Sequence, residues 1–286
     1  MSTRRFDVLA YAASAHGRSR SDLEGVGAPL SPELRRALEY LARRQGETTT
    51  WLSLVLVTPT HKDARITAFL SAWAYERHWV ADSLAALTGD RPHPAPQRTG
   101  PRRVADRLAP LGAAVAANRN GGALPAVQMA ERYVDGLFLE AMLDRAEKSA
   151  PDPVAADLGR MRATVARQQR FFAEAAVERL AASATARRLA RRALTARAWP
   201  IGAEREPEET AAVLAALFAA DPDWAAPIDS AVDRLPGQGG LRIAERTAAN
   251  PGRPPLRILL RPAAALGSAA AGITRRRKGR GRSAPG

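Results

Sequence analysis

Apolar residues recur along this chain at intervals of three and four, the period of a helix, and not at the interval of two that marks a half-buried strand. The clearest run is 62–87, where Ile66, Phe69, Leu70, Trp73, Val80, Leu84 and Leu87 mark one face and Gly89 stops the helix. Upstream, Ser31-Pro32-Glu33 opens a helix carrying Leu34, Leu38 and Leu41, because Ser caps, Pro suits the first turn and Glu favours the positive helix end. Residues 123–148 present Val127, Val134, Leu137, Phe138 and Ala141, and 153–182 present Val154, Leu158, Met161, Val165, Phe172 and Leu180. A corner, Ser149-Ala150-Pro151-Asp152-Pro153, joins these two long helices.

Shorter elements fill the rest. A helix is expected over 102–117 with Val104, Leu108, Leu111 and Val115, between a proline-rich loop at 89–101 and a turn at 118–122. The stretch 48–58 is rich in β-branched residues, yet its neighbours are helical and no partner strand is visible, so it reads as a helix ended by Pro59. A basic helix spans 185–199, another runs over 207–219, and Asp221-Pro222 caps a third bearing Trp224, Ile228, Val232 and Leu235, stopped by Pro236 to Gly240. Long helices with short corners predict an all-α antiparallel bundle with additional C-terminal helices. Three regions follow: a flexible segment at 1–30, a helical domain at 31–248, and a Pro-, Gly- and Arg-rich tail at 249–286 expected to be disordered. Trp51, Trp73 and Trp79 are expected to anchor the core.

Composition narrows the chemistry. The chain has no cysteine, which excludes disulfides, thiolate metal sites and a cysteine nucleophile, and fits a cytoplasmic location. Met1 to Ala10 is polar, without the apolar core of a signal peptide, and no window approaches 18 uninterrupted apolar residues. The net charge is +14, but 40 of the 43 basic residues are arginines, as expected of coding in a GC-rich genome, and six basic residues lie in the last dozen: Arg275, Arg276, Arg277, Lys278, Arg280 and Arg282. Arg188, Arg191 and Arg192 share a face of the basic helix, with Arg187 and Arg197 nearby, so weak contact with nucleic acid or an anionic surface through this helix and the tail is one candidate partnership. The oligomeric state stays open, a homo-oligomer included. Walker-type loops, G-x-G-x-x-G and G-x-S-x-G are absent.

Residues 66–88 (ITAFLSAWAYERHWVADSLAALT), the pair 123–148 and 153–180 with its run ARQQRFF, and the later AWPIGA and IDSAVDRLPGQGGL together resemble ferritin-like proteins of actinobacterial type over roughly residues 35–245. The resemblance implies a ferritin-like bundle and, in iron-bearing members, a Glu from each of two helices plus Glu-x-x-His from each of the other two. Here that pattern is broken. No Glu is followed three residues later by His. The second helix offers Arg77 and Val80 (or Glu76 and Trp79 one register away), the fourth Gln169 and Phe172, the third Gly136 beside Asp135, and only Glu47 remains for the first. Of the four histidines, His16 and His93 fall in loops, His61 at a helix start and His78 on the long helix.

The favoured expectation is therefore a binding or structural protein of unidentified ligand rather than an enzyme, with no catalytic, cofactor-binding or metal-ligating residue assigned. A first alternative is an iron-dependent oxidoreductase whose atypical carboxylate site draws on Glu47, Glu76, Glu131, Asp135 and Glu140, with His78 nearby; iron enters as a cofactor only there. The competing expectation makes those carboxylates solvated helix-face charges paired with Arg132 and Arg145. A second alternative is a basic accessory protein for nucleic acid.

Overall fold

The computed structural model describes residues 5–253 apart from 16, 18, 19, 49, 50, 53, 54, 56, 57 and 90–120. Nine helices are described: α1 (Val8–Ala13), α2 (Pro32–Gly46), α3 (Ala64–Thr88), α4 (Leu124–Ser149), α5 (Asp152–Ala182), α6 (Ala184–Ala196), α7 (Pro207–Phe218), α8 (Ala225–Asp233) and α9 (Ile243–Ala249). There is no strand among the described residues, and none of these helices is long and apolar enough to cross a membrane. The helix expected over 102–117 and the tail beyond Arg253 lie outside the described residues.

The helix ends follow local chemistry. Ser31 accepts from the Leu34 amide at 3.1 Å to cap α2, Asp63 accepts from Ile66 at 2.9 Å to cap α3, and Ser183 accepts from Ala186 at 3.1 Å to cap α6. Gly89 ends α3 in the left-handed conformation, with φ of 81°. Pro151 and the first-turn Asp152-Pro153 break α4 from α5 at the expected corner. The Asp221-Pro222 pair does not itself start α8, which begins at Ala225 after a turn in which Asp221 accepts from the Asp223 amide at 3.2 Å. In the 48–58 stretch Thr48, Trp51, Leu52 and Val55 are helical, and Pro59 opens a short 3-10 turn.

Cross-helix pairs fix the directions. Arg35 of α2 reaches the Thr88 carbonyl while Arg77 reaches Gln45, so α2 and α3 run antiparallel. Arg162 meets Glu147 near the corner and Gln169 meets Tyr133 farther along, so α4 and α5 are antiparallel. Arg65 pairs with Glu174 and Gln168 with Glu76, so α3 and α5 are antiparallel too. The four long helices consequently run up, down, down, up.

Helix α4 is the centre. It packs on α2, α5, α6, α7 and α8, and is buried almost all round, including Gln128, Glu131 and Arg132. The core is continuous from Val8 to Ala244, with Tyr40, Phe69, Phe138, Phe171 and Phe172 as its largest fully buried side chains. Trp73 belongs to that core, whereas Trp51 and Trp79 are only half-buried and line cavities. The described part of 1–30 differs from the flexible segment expected of its small and polar composition. Phe6 packs edge-on against Phe69 and Phe171, and Tyr11, 3% exposed, stacks on Phe69 at 4.9 Å, so three aromatic contacts hold the segment on the bundle.

Candidate functional site

The five carboxylates singled out by sequence divide among three places. Glu47, Glu131 and Asp135 line one cavity of about 420 Å³ between the end of α2, the 48–58 stretch, α4 and the turn 197–205. Glu76 faces a second cavity, between α3 and α5, of about 390 Å³. Glu140 sits half-buried on the far side of α4 beside Asp144 and Arg162, where burial raises its pKa. His78 and His61 are exposed, and His16 and His93 lie outside the described residues.

In the first cavity each carboxylate is engaged by its own arginine. Glu47 accepts from Arg44 at 3.1 Å and from Arg205 at 2.8 Å. Glu131 pairs with Arg197 at 2.8 Å. Asp135 accepts from Arg132 at 3.1 Å and from the Ile201 amide at 2.8 Å. These contacts bind the 197–205 turn over the cavity mouth, and Arg44 adds a bond to the Gly202 carbonyl at 3.0 Å. Gly202 is required there: its φ is 89°, and a Cβ would collide with the Arg44 guanidinium. The guanidinium of Arg132, 7% exposed, stacks 4.0 Å from the Trp51 ring. Leu41, Val55, Leu124, Val127 and Leu139 supply the apolar wall.

Behind this wall lies the centre of the bundle. Arg77, 3% exposed, donates to Gln45 Oε1 at 3.0 Å, and burial pulls its pKa down to about 10. Gln169 donates to the Tyr133 carbonyl at 2.7 Å and fills the space that Gly136 leaves, since a Cβ at 136 would collide with its carboxamide. No family model, no curated protein and no solved structure matches this chain. Its site is legible through its own residues alone.

Those residues do not fit the iron pair that the ferritin-like resemblance implies. Iron of that kind takes anionic oxygen and imidazole donors. The inner positions hold a cation at Arg77, a neutral amide at Gln169 and no side chain at Gly136. The atypical carboxylate site fares no better: Glu76 and Glu140 face other spaces, and among the described residues no group of three or more His, Asp and Glu side chains could hold a metal ion.

Two readings made from sequence need correction. Glu76 and Glu131 are not solvated helix-face charges; they are 2% and 7% exposed. Nor does Arg145 serve the cavity carboxylates, for it pairs with Asp221. The arginine face of α6 is also interrupted. Arg191 donates to the Gly237 and Gly239 carbonyls at 3.3 and 3.0 Å, Arg187 to the Leu180 and Ala181 carbonyls at 3.0 and 3.1 Å, and Arg197 turns into the cavity. Arg188, Arg191 and Arg192 are all exposed, with the Arg191 guanidinium engaged by the Gly237 and Gly239 carbonyls.

Proposed function

We propose that this chain is a ferritin-like helical bundle without a di-iron centre, working as a binding protein for a small molecule held in the cavity between α2, α4 and the 197–205 turn. The order up, down, down, up supports the architecture, because a bundle of that order needs one long crossover, as ferritin-like bundles have. The cavity supports the binding role: about 420 Å³ lies within the range of small-molecule sites, and its apolar wall carries a few convergent charged groups.

One observation carries the reading. Arg77, at the position where the resemblance would put a ligand of the second helix, has a buried guanidinium bonded to Gln45. A fixed cation there repels a metal pair by several kcal/mol at short range. The test is elemental analysis of the full chain purified after growth in iron-supplemented medium. Less than about 0.1 iron per chain is expected. A sample holding about two irons per chain would overturn the reading and restore the oxidoreductase.

A further inference from the structure

The chemistry of the occupant follows from which groups of the same cavity wall are still uncommitted, an inference that rests on the binding role just proposed. Among the described residues, four arginines and four carboxylates line the cavity, so their charges cancel. They also answer one another in place. Arg44 and Arg205 share Glu47, Arg197 holds Glu131 and Arg132 holds Asp135, while Glu204 is exposed. The same groups strap the 197–205 turn to α2 and α4: Arg197 and Arg205 belong to it, Arg44 donates to its Gly202 carbonyl and Asp135 accepts its Ile201 amide. Every guanidinium in the wall is thus used to fix the turn, and none is left to meet an ion.

The uncharged polar groups of the wall are engaged from behind. The Tyr40 hydroxyl bonds Thr210 at 3.0 Å, Gln128 accepts from Thr60 at 2.5 Å, and Gln45 accepts from Arg77 at 3.0 Å; none of those three partners lines the cavity. What stays free is the apolar surface of Leu41, Val55, Leu124, Val127, Leu139 and Met142. An ion entering such a space gives up its hydration and finds a partner only by breaking a pair that already exists. An apolar body gives up no hydrogen bond there, and it takes the aliphatic wall out of water.

We propose that the cavity takes an uncharged, predominantly apolar small molecule, held against the aliphatic residues of α2 and α4 and enclosed by the ion-paired 197–205 turn. Charge of either sign on the occupant works against binding, because the opposite charges in the wall are already taken. The turn adds to the apolar enclosure as well as to the strap, since Pro200 and Ile201 line the same space.

Three eight-carbon probes that differ only at the head group separate the charges: 1-octanol, octanoate and octylamine, each added to the full chain at neutral pH in thermal unfolding and calorimetric titration. Octanol is expected to raise Tm by about 5 °C or more at a hundredfold excess over its Kd. Octanoate and octylamine should each bind at least about tenfold more weakly. A smaller gap for either ion, or no shift with octanol, would overturn the assignment. Leu124→Trp, at a half-buried position, should fill the space and weaken octanol about tenfold or more, and undiminished affinity would overturn it too. The three probes are compared on the unaltered chain, so they decide the assignment even where this variant does not fold. Iron content is read separately, so failure here leaves the metal-free reading standing, and failure there is visible whatever octanol does.

Discussion

At the scale of single residues, the pairing of Gly136 with Gln169 decides what the bundle centre can hold. Gln169 lies across the glycine and is fixed by its bond to the Tyr133 carbonyl. Gly136→Ala should gain up to about 1 kcal/mol of helix propensity but displace the carboxamide and lose that buried bond, at about 1–3 kcal/mol. A net loss near 1 kcal/mol is expected in chemical denaturation. Adding Gln169→Ala should make the Gly136→Ala background more stable than it is with Gln169 present, and a strictly additive pair would contradict the packing account. Both positions were singled out in the sequence by the ferritin-like resemblance, which sets Arg77, Gly136 and Gln169 where iron-bearing members would carry inward ligands. The burial of Glu76, one residue from Arg77, was not legible in the sequence. On a helix covered from a single side it would face water, and it is buried because a segment 65 residues earlier in the chain docks there beside Arg167 and Gln168 of α5.

That docking belongs to the scale of elements. Glu76 of α3 accepts from Tyr11 of α1 at 2.5 Å and from Gln168 of α5 at 2.8 Å, and pairs with Arg167 of α5. Burial, reinforced by the neighbouring carboxylate, raises the Tyr11 pKa, so the phenol remains a neutral donor at ordinary pH. Three elements therefore hang on one carboxylate. Glu76→Ala should cost about 3 kcal/mol, lowering Tm by roughly 6–10 °C, and should expose the chain ahead of α2 to limited proteolysis. Glu178→Ala, at an exposed site that pairs only with arginines, is the control and should stay within about 0.5 kcal/mol. A Tm loss under 2 °C for Glu76→Ala would mean that the aromatic contacts of Phe6 hold α1 unaided. The long helices were readable because their periods, caps and prolines agree. The N-terminal segment was not, since its anchors, Phe6, Tyr11 and Leu23, are too far apart to form any period.

At the scale of the whole molecule, the question is where an excess of 14 positive charges can act. The folded body spends many of its arginines internally: Arg44, Arg132 and Arg197 on the cavity, Arg36 and Arg43 on the acidic start of α7, Arg187 and Arg191 on backbone carbonyls. Sequence could not reveal this, because a guanidinium facing a carbonyl and one facing water share the same helical spacing. Residues 254–286 contain eight basic residues and no acidic one, while among the described residues the buried core runs from Val8 to Ala244. Deleting 254–286 should thus leave Tm within about 2 °C of the full chain. It should also reduce affinity for a 20-base-pair DNA duplex at least tenfold at low salt, and flatten the dependence on salt, whose slope tracks the number of phosphates neutralised. Unchanged DNA affinity after the deletion would instead move that contact to Arg188 and Arg192 on α6. A loss of affinity with an unchanged melting curve would mark the charge of 254–286 as separable from the bundle and its cavity, so that ligand binding and attraction to polyanions can be measured, and abolished, one without the other.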